Sequence, residues 1–264
     1  MKRPLVEQTI RSRPIADRAG GGLTVAGYAA THIGLVRRVN EDAVLDRSEI
    51  GLWAVADGVG GGHAGDRASA LVVSALEKLP VPADWTGFVE DVRASLDEVN
   101  RRLRLEAVAS GDDRAIASTV VCLLHFEHWY CCLWAGDSRL YRLQAGNLEQ
   151  LTKDHSQVQS LLDYGLISVE EARQHPNANI ITRAVGAEDI LQLQAIEGEI
   201  EPGDAFLLCT DGLTKVVEDW EIGIALSVLS APDAVHSLIG MTLQRGAPDN
   251  VSVAVIKVAQ SGDG

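Results

Sequence analysis

The sequence predicts an α+β fold in which two packed, mainly antiparallel β-sheets are flanked by helices, an α-β-β-α sandwich. Three observations support this prediction. Short apolar runs of β type recur along the chain, most of them follow one another through tight turns, and paired helical segments interrupt them. Turns such as 144–147 and 201–204 favour antiparallel pairing, because parallel strands need long crossover connections.

The elements follow from hydrophobic periodicity. Alternating or continuous apolar runs predict strands at 23–31, 41–47, 51–56, 117–126, 129–135, 139–143, 191–197, 204–209 and 251–258. Helical spacing predicts helices at 65–79, 84–109, 155–163, 168–174, 218–229 and 231–245. The second helix is identified by apolar residues near the 3.6-residue period: Phe88, Val92, Leu96, Val99, Leu103 and Leu105.

The 264 residues contain no internal repeat and no break in composition, so we expect a single domain over residues 23–260. Residues 1–22 lack periodicity and end in three glycines, which predicts a flexible leader. Its basic residues leave a docking tail as the alternative interpretation.

The charge balance is strongly acidic, with 23 Lys and Arg against 37 Asp and Glu and a net charge of −14. Such a chain is not expected to bind nucleic acid or an anionic membrane, since both require basic residues. Excess carboxylate suits a cation-binding protein, although solubility alone also explains it. The four cysteines lie in apolar runs without C-x-x-C spacing, which predicts reduced core thiols. Without a signal peptide or a membrane-spanning run, a cytoplasmic location is expected.

Four aspartates occupy matching positions at strand ends. Asp57, Asp137 and Asp211 each close an apolar run and precede a small residue, and Asp249 lies just before the last strand. Because neighbouring antiparallel strands begin and end at the same edge, the four carboxylates can converge on one rim. A single Asp-Gly usually marks only a turn, but four at matching ends indicate a site.

Clustered carboxylates repel one another and raise their own pKa values unless a cation lies between them. Oxygen ligands without histidine or thiolate partners select Mg²⁺ or Mn²⁺ over Zn²⁺. Because Gly58 has no side chain, its carbonyl oxygen can approach such an ion closely. Two ions can hold a bridging water and lower its pKa.

Six short runs carry a resemblance to a known family: GLVRRVNED at 34–42, ADGVGG at 56–61, AGDSRLY at 135–141, LTKDHS at 151–156, LCTDGL at 208–213 and GAPDNV at 246–251. In order and spacing they resemble the motifs of the metal-dependent PPM phosphatases (protein phosphatase 2C-like), in the compact bacterial form. The resemblance extends from about residue 27 to residue 258.

The resemblance implies hydrolysis of phosphoserine and phosphothreonine in proteins by a water bridging two Mn²⁺ or Mg²⁺ ions, without a phosphoenzyme. A third ion is found in some bacterial members. The implied partners are phosphorylated proteins and a cognate Ser/Thr kinase, and the chain is expected to be a monomer. Relatives serve cell-envelope, growth and type VI secretion control, and the glycine-rich Val-Gly-Gly-Gly-His run at 59–63 favours the secretion-associated branch.

The resemblance also implies metal ligands. Asp57 would bridge both core ions, with Asp211 and Asp249 completing the first site. The carbonyl of Gly58 would bind the second ion. Glu41 or Asp42 would hold the water molecules of the second ion. Asp137, together with Asp211, would bind the third ion.

Arg37 is implied to grip the substrate phosphate, a task that suits its planar fork of donors, although Arg38 is its immediate neighbour. At the position of the general acid, this chain departs from the family's pattern. Bacterial relatives usually carry a histidine where this chain has Gly62, and His63 comes one residue later. His63 is the candidate proton donor, and metal-bound water or His155 are the alternative donors. The alternative interpretation of His63 is a solvent-facing residue at the start of a helix, without a role in catalysis.

Residues 152–186 correspond to the family's flap, beside the metal rim. His155 and Ser156 are predicted either to shape that region or to cap a helix. Two other functions stay open. A catalytically silent phosphoprotein-binding module would typically lack metal aspartates, which are all present here, and an enzyme acting on small phosphate esters would lack an intact flap.

Overall fold

The computed structural model describes residues 22–60, 63–110, 116–173 and 175–260. The predicted leader therefore lies outside the described residues except for Gly22. In chain order the strands are β1 (Leu23–His32), β2 (Asp42–Arg47), β3 (Leu52–Val59), β4 (Ala117–Ser118), β5 (Val120–Phe126), β6 (Trp129–Ala135), β7 (Arg139–Gln144), β8 (Asn147–Gln150), β9 (Gln194–Glu199), β10 (Ala205–Cys209) and β11 (Val251–Gln260).

The strands form two antiparallel sheets. The first sheet has the order β1-β11-β10-β7-β8. The second has the order β2-β3-β5-β6-β9, and the short β4 also pairs with β3. The first and last strands are neighbours, with Leu23 opposite Gln260 and His32 opposite Val251.

The helices are α1 (His63–Leu76), α2 (Trp85–Ser110), α3 (Gln157–Asp163), α4 (Val169–Arg173), α5 (Asp211–Thr214), α6 (Asp219–Val228) and α7 (Ala231–Gln244), with a 3₁₀ turn at Ser48–Ile50. One hydrophobic cluster joins α1 and α2 to the outer face of the second sheet. Another joins α6 and α7 to the outer face of the first sheet. A third fills the space between the sheets. The predicted α-β-β-α layering is confirmed.

The alternation of side chains along β3 determines which residues face each layer. Trp53 and Val55 belong to the cluster between the sheets, and Leu52, Ala54 and Ala56 belong to the cluster under α1 and α2. All five side chains are fully buried. The same alternation assigns residue 57 to the inter-sheet face, at the end of the strand.

Several boundaries differ from the prediction. β8 was missed because Leu148 is its single apolar residue, and it forms because Ala145 and Gly146 both adopt positive φ, 49° and 81°, in a tight hairpin. Strand 191–197 starts later, at Gln194, since Leu191 and Leu193 pack beside the helical cluster instead.

Two helical expectations were also wrong in detail. The first helix ends at Leu76 rather than at residue 79. Leu105 is 71% exposed although Leu103 is fully buried, because two positions along a helix lie on nearly opposite faces. Within the described ranges, no helix is both long and apolar enough to cross a membrane.

Gly27 in β1 tests the packing between the sheets. A Cβ at this position would lie 2.1 Å from Nε1 of the buried Trp53, whose indole donates a hydrogen bond to Ser48 Oγ. Gly27→Ala is therefore expected to lower the free energy of unfolding by about 1–3 kcal/mol, measured by urea denaturation.

Gly240→Ala is the matched control, because a Cβ at Gly240 in α7 meets nothing within 4 Å. It is expected to leave stability unchanged or slightly raised, since alanine favours a helix. Equal midpoints for Gly27→Ala and the wild type would contradict the packing described.

Candidate active site

The predicted aspartates meet at one end of the two stacked sheets. Asp57 and Asp137 belong to the second sheet, within β3 and just after β6. Asp211 and Asp249 belong to the first sheet, at the start of α5 after β10 and just before β11. The rim is thus shared by two sheets, whereas strand ends alone suggested the edge of one.

Asp42 and Asp57 face each other directly across the β2–β3 ladder. Like charges at such positions destabilise a sheet unless something compensates them. Burial raises the pKa of Asp42 to about 7. Burial also raises the pKa of Asp57, and the nearby charges of Asp42, Asp211, Asp137 and Asp249 raise it further. Four of the predicted carboxylates therefore act on Asp57, which lies at the centre of the cluster.

Asp42 Oδ2 accepts a hydrogen bond of 2.9 Å from Thr210 Oγ1. Its other oxygen, Oδ1, is buried and has no hydrogen-bond partner among the described residues, and the same is true of Glu41 Oε1. Buried carboxylate oxygens normally have a partner, because leaving one unpaired is costly. A divalent cation bound beside these two atoms would supply the partner that they lack.

Glu41 lies beside two glycines that approach each other closely. A Cβ on Gly65 would lie 2.4 Å from Glu41 Oε1 and 2.8 Å from the carbonyl oxygen of Gly58. A Cβ on Gly58 would lie 2.0 Å from the carbonyl oxygen of Gly65. The carboxylate of Glu41 and the carbonyl of Gly58 therefore border one small space that only glycine leaves open.

Thr119 connects Asp57 to the turn that carries Asp137, a role that the sequence analysis missed. Asp57 N donates to Thr119 Oγ1 at 2.9 Å, and Thr119 N donates to Asp57 O at 2.8 Å. Thr119 Oγ1 also lies 2.8 Å from Ser138 Oγ. Gly136 has φ 120°, and a Cβ there would lie 2.6 Å from Thr119 Cβ. The break between β4 and β5 at Thr119 thus fixes both aspartates.

Asp137 itself is buried at this turn. Burial raises its pKa to about 7, and the charge of Asp211 is the next cause. Burial and the neighbouring charge both favour the protonated form of Asp137, whereas a nearby cation would favour its anion.

Asp249 is held by two cations. Arg37 binds both its oxygens, with Nε 2.8 Å from Oδ1 and a terminal nitrogen 2.9 Å from Oδ2. Lys215 Nζ lies 3.0 Å from Asp249 Oδ2 and 2.7 Å from Asp211 Oδ2. Burial would raise the pKa of Asp249, but Lys215 and Arg37 outweigh it and lower the pKa below its ordinary value.

Asn250 secures the loop that carries Arg37 and Glu41. Its Nδ2 donates to the carbonyl oxygens of Ile33 and Val39 at 2.8 and 3.0 Å, and its Oδ1 accepts from Glu41 N at 2.9 Å. Asn250 is buried. The sequence analysis quoted this residue within a motif without assigning it a role.

The structure bears differently on the two candidate histidines, His63 and His155. α1 begins at His63, but the side chain of His63 lies outside the described residues. His155 is neither a helix cap nor free to donate a proton. Its Nδ1 accepts from Gly136 N at 3.1 Å, and its Nε2 lies 3.0 Å from Gln194 Oε1. Ser156 is the N-cap of α3, accepting from Gln159 N.

The predicted flap leaves and rejoins the sandwich beside the turn of Asp137. Its first residues bond to Gly136, and its last residues form a bridge between Val185 and Ser118. Arg139 Nη2 pairs with Asp154 at 2.7 Å at its base. The flap is therefore anchored to the same turn as one of the aspartates.

The residues fit divalent cations chemically, because every donor is a carboxylate or carbonyl oxygen. In the described part of the chain, however, no three acidic, histidine or cysteine side chains already form a finished ligand set. Asp211 and Asp249 pair with Lys215 and Arg37 instead. The individual ligand assignments stay predictions.

The four cysteines are buried free thiols. Burial raises the pKa of Cys209, two residues before Asp211, to about 12. A thiol of that pKa is not a nucleophile at neutral pH.

Sequence comparisons identify relatives of this chain. The family model described as "Protein phosphatase 2C" matches residues 26–251. The serine/threonine protein phosphatase PstP of Mycobacterium tuberculosis is 36% identical over 235 residues, which is 89% of this chain and 45% of PstP. The chain thus spans less than half the length of that relative. The serine/threonine phosphatase stp of Listeria welshimeri is 33% identical over 86% of this chain and 93% of its own length.

Solved structures agree. PppA, described as a key regulatory component of T6SS in Pseudomonas aeruginosa, has a TM-score of 0.83 and 44% identity, covering 89% of this chain and 97% of PppA. The catalytic domain of PstP in complex with two manganese ions has a TM-score of 0.79 and 34% identity, covering 90% and 99%. Because the family model covers most of the chain and the relatives share its fold, this chain belongs to the protein phosphatase 2C family.

Proposed function

We propose that this protein hydrolyses phosphoserine and phosphothreonine in proteins, with Mn²⁺ or Mg²⁺ as its cofactor. The observation that carries the proposal is a pair of buried oxygens, on Glu41 and Asp42, that have no hydrogen-bond partner among the described residues and lie beside Asp57 and the carbonyl of Gly58. When bound, the ions supply a water of lowered pKa and neutralise charge on the phosphate.

The ligands we propose are those expected from the family: Asp57 for both core ions, Asp211 and Asp249 for the first, and the Gly58 carbonyl for the second. Glu41 or Asp42 would hold the waters of the second ion, and Asp137, with Asp211, would bind a third. This assignment agrees with the burial of these carboxylates and with the raised pKa values of Asp42, Asp57 and Asp137. Manganese in the PstP structure is the corresponding cofactor of a relative.

Arg37 is proposed to bind the substrate phosphate. Its side chain is 48% exposed, so it lies at the rim where a phosphopeptide would enter. Its fork already binds the two oxygens of Asp249, the geometry that also suits two phosphate oxygens. Substrate binding would exchange one bidentate partner for another.

The main rival is a silent phosphoprotein-binding module on the same fold. All the metal aspartates are present and face one another, which favours an enzyme.

We further propose that residues 23–260 act as one cytoplasmic, monomeric phosphatase domain, with residues 152–186 as its flap. A cognate Ser/Thr kinase is the proposed opposing partner. PppA motivates, with less weight, a role in regulating type VI secretion.

Asp57→Asn tests the proposal directly. Phosphate release from a phosphothreonine peptide with Mn²⁺ is expected to fall by about 10³-fold or more, because several kcal/mol of metal-dependent stabilisation would be lost. Asp97→Asn, on the exposed face of α2, is the control and should leave the rate unchanged. A folded wild type that binds the phosphopeptide but releases no phosphate with any metal would instead identify a binding module.

His63→Ala tests the proposed proton donor. A serine or threonine alkoxide needs a proton as it leaves, whereas the nitrophenolate of p-nitrophenyl phosphate does not. We therefore expect about a 10²-fold loss of kcat on the phosphopeptide and little change on p-nitrophenyl phosphate. His128→Ala, an exposed histidine, is the control. Equal losses on both substrates, or no loss on either, would assign the proton transfer elsewhere.

Asn250→Ala tests the support of the loop at 33–41. Loss of its three backbone hydrogen bonds is expected to lower kcat/KM about 10–100-fold, since Arg37 and Glu41 lose their fixed position. Asn100→Ala is the matched control, because buried Asn100 likewise binds the backbone of Gly186 and Glu188. If both variants lose activity in proportion to stability, Asn250 has only a structural role.

A further inference from the structure

Lys215 is a cation in direct contact with two of the clustered aspartates, Asp211 and Asp249. It directly follows α5, one helical turn after Asp211, and its backbone N donates to Asp211 O at 2.9 Å. This spacing places its ammonium 2.7 Å from Asp211 Oδ2 and 3.0 Å from Asp249 Oδ2. One short turn of helix thus carries both an aspartate and a cation that bridges it to a second aspartate.

The oxygens that Lys215 contacts are not equivalent to the others in the cluster. Asp211 and Asp249 are the pair proposed for the first metal, and both form ion pairs with the protein's own cations. On the second-metal side, Glu41 Oε1 and Asp42 Oδ1 have no partner among the described residues. The cluster therefore has one half that is compensated by the protein's own cations and one half that is not.

An ammonium and a divalent ion cannot share the same carboxylate oxygens, because their like charges repel strongly at such distances. We propose that Lys215 competes with the first metal ion: its ammonium holds Asp211 and Asp249 in the metal-free protein and leaves them when the ion binds. This inference rests on the proposed metal centre. It makes Lys215 a determinant of metal affinity rather than a group that acts on substrate.

The side chain of Lys215 has the properties expected of a group that a metal ion displaces from the carboxylates. Its side chain is 30% exposed, so its flexible stem has a path to solvent. Burial would lower its pKa, but Asp211 and Asp249 outweigh burial and raise it, so the group stays charged at neutral pH. Arg37 does not replace it, because its fork binds Asp249 from the more exposed rim.

Competition has two measurable consequences. Metal binding must break the Lys215 ion pairs, so the protein binds Mn²⁺ less tightly than the same carboxylates would without the lysine. In the absence of metal, Lys215 also reduces repulsion between Asp211 and Asp249, so its removal should destabilise the metal-free state in particular.

The experiment is a calorimetric titration of the full chain with Mn²⁺, without substrate. Lys215→Met keeps the length of the side chain but removes its charge, and it is expected to lower the Kd for Mn²⁺ about tenfold. Lys215→Arg keeps the charge and should bind Mn²⁺ like the wild type. Lys78→Met, on an exposed lysine, controls for net charge and should also match the wild type.

Thermal unfolding provides the second readout. Lys215→Met should have a lower Tm than the wild type in EDTA, and saturating Mn²⁺ should raise its Tm by more than it raises that of the wild type. An unchanged or higher Kd for Lys215→Met overturns the inference while leaving the metal centre intact. A wild type that binds no Mn²⁺ overturns the metal centre and this inference together.

Discussion

Repulsion between buried carboxylates is the constraint on which this structure depends. Asp42 and Asp57 are neighbours in one ladder, and three further aspartates add their charges from the other strand ends. Water screens them weakly, because Asp42 and Asp137 are buried and the other three are only partly exposed. The local structure is arranged around this problem, with glycines that admit backbone carbonyls, threonines that hydrogen-bond the strands, and cations that pair with the most accessible acids.

The anions and the cations are supported differently. The aspartates sit at the ends of strands whose other side chains pack in the core between the sheets, so their positions are determined by the whole sandwich. Arg37 lies on a loop and Lys215 follows a single turn of helix, and both side chains are partly exposed. The aspartates are thus held rigidly, while the two basic side chains can move. This combination suits a site that must admit metal ions and a charged substrate.

Residue patterns predicted much of this arrangement, because strand ends and short motifs are local features. Asp57, Asp137, Asp211 and Asp249 could be placed together on that basis, and so could the four layers. The roles of Lys215, Thr119 and Asn250 could not. Each depends on a contact between segments that only the tertiary fold brings together, such as the bond from Glu41 to Asn250 across 209 positions. β8 was not predicted for a related reason: this strand forms because of the hairpin turn that precedes it, and its own residues show no strand pattern.

The hydrogen bonds of Asn250 also bear on how the protein is made. They join the loop after the first strand to the start of the last strand, and β1 pairs along its whole length with β11. A nascent chain still lacking residues 249–260 on the ribosome has neither Asp249 nor the partner strand of β1. Such long-range closure is slow and comes late in folding. The proposed metal centre, which includes Asp249, can therefore assemble only after translation of that last strand.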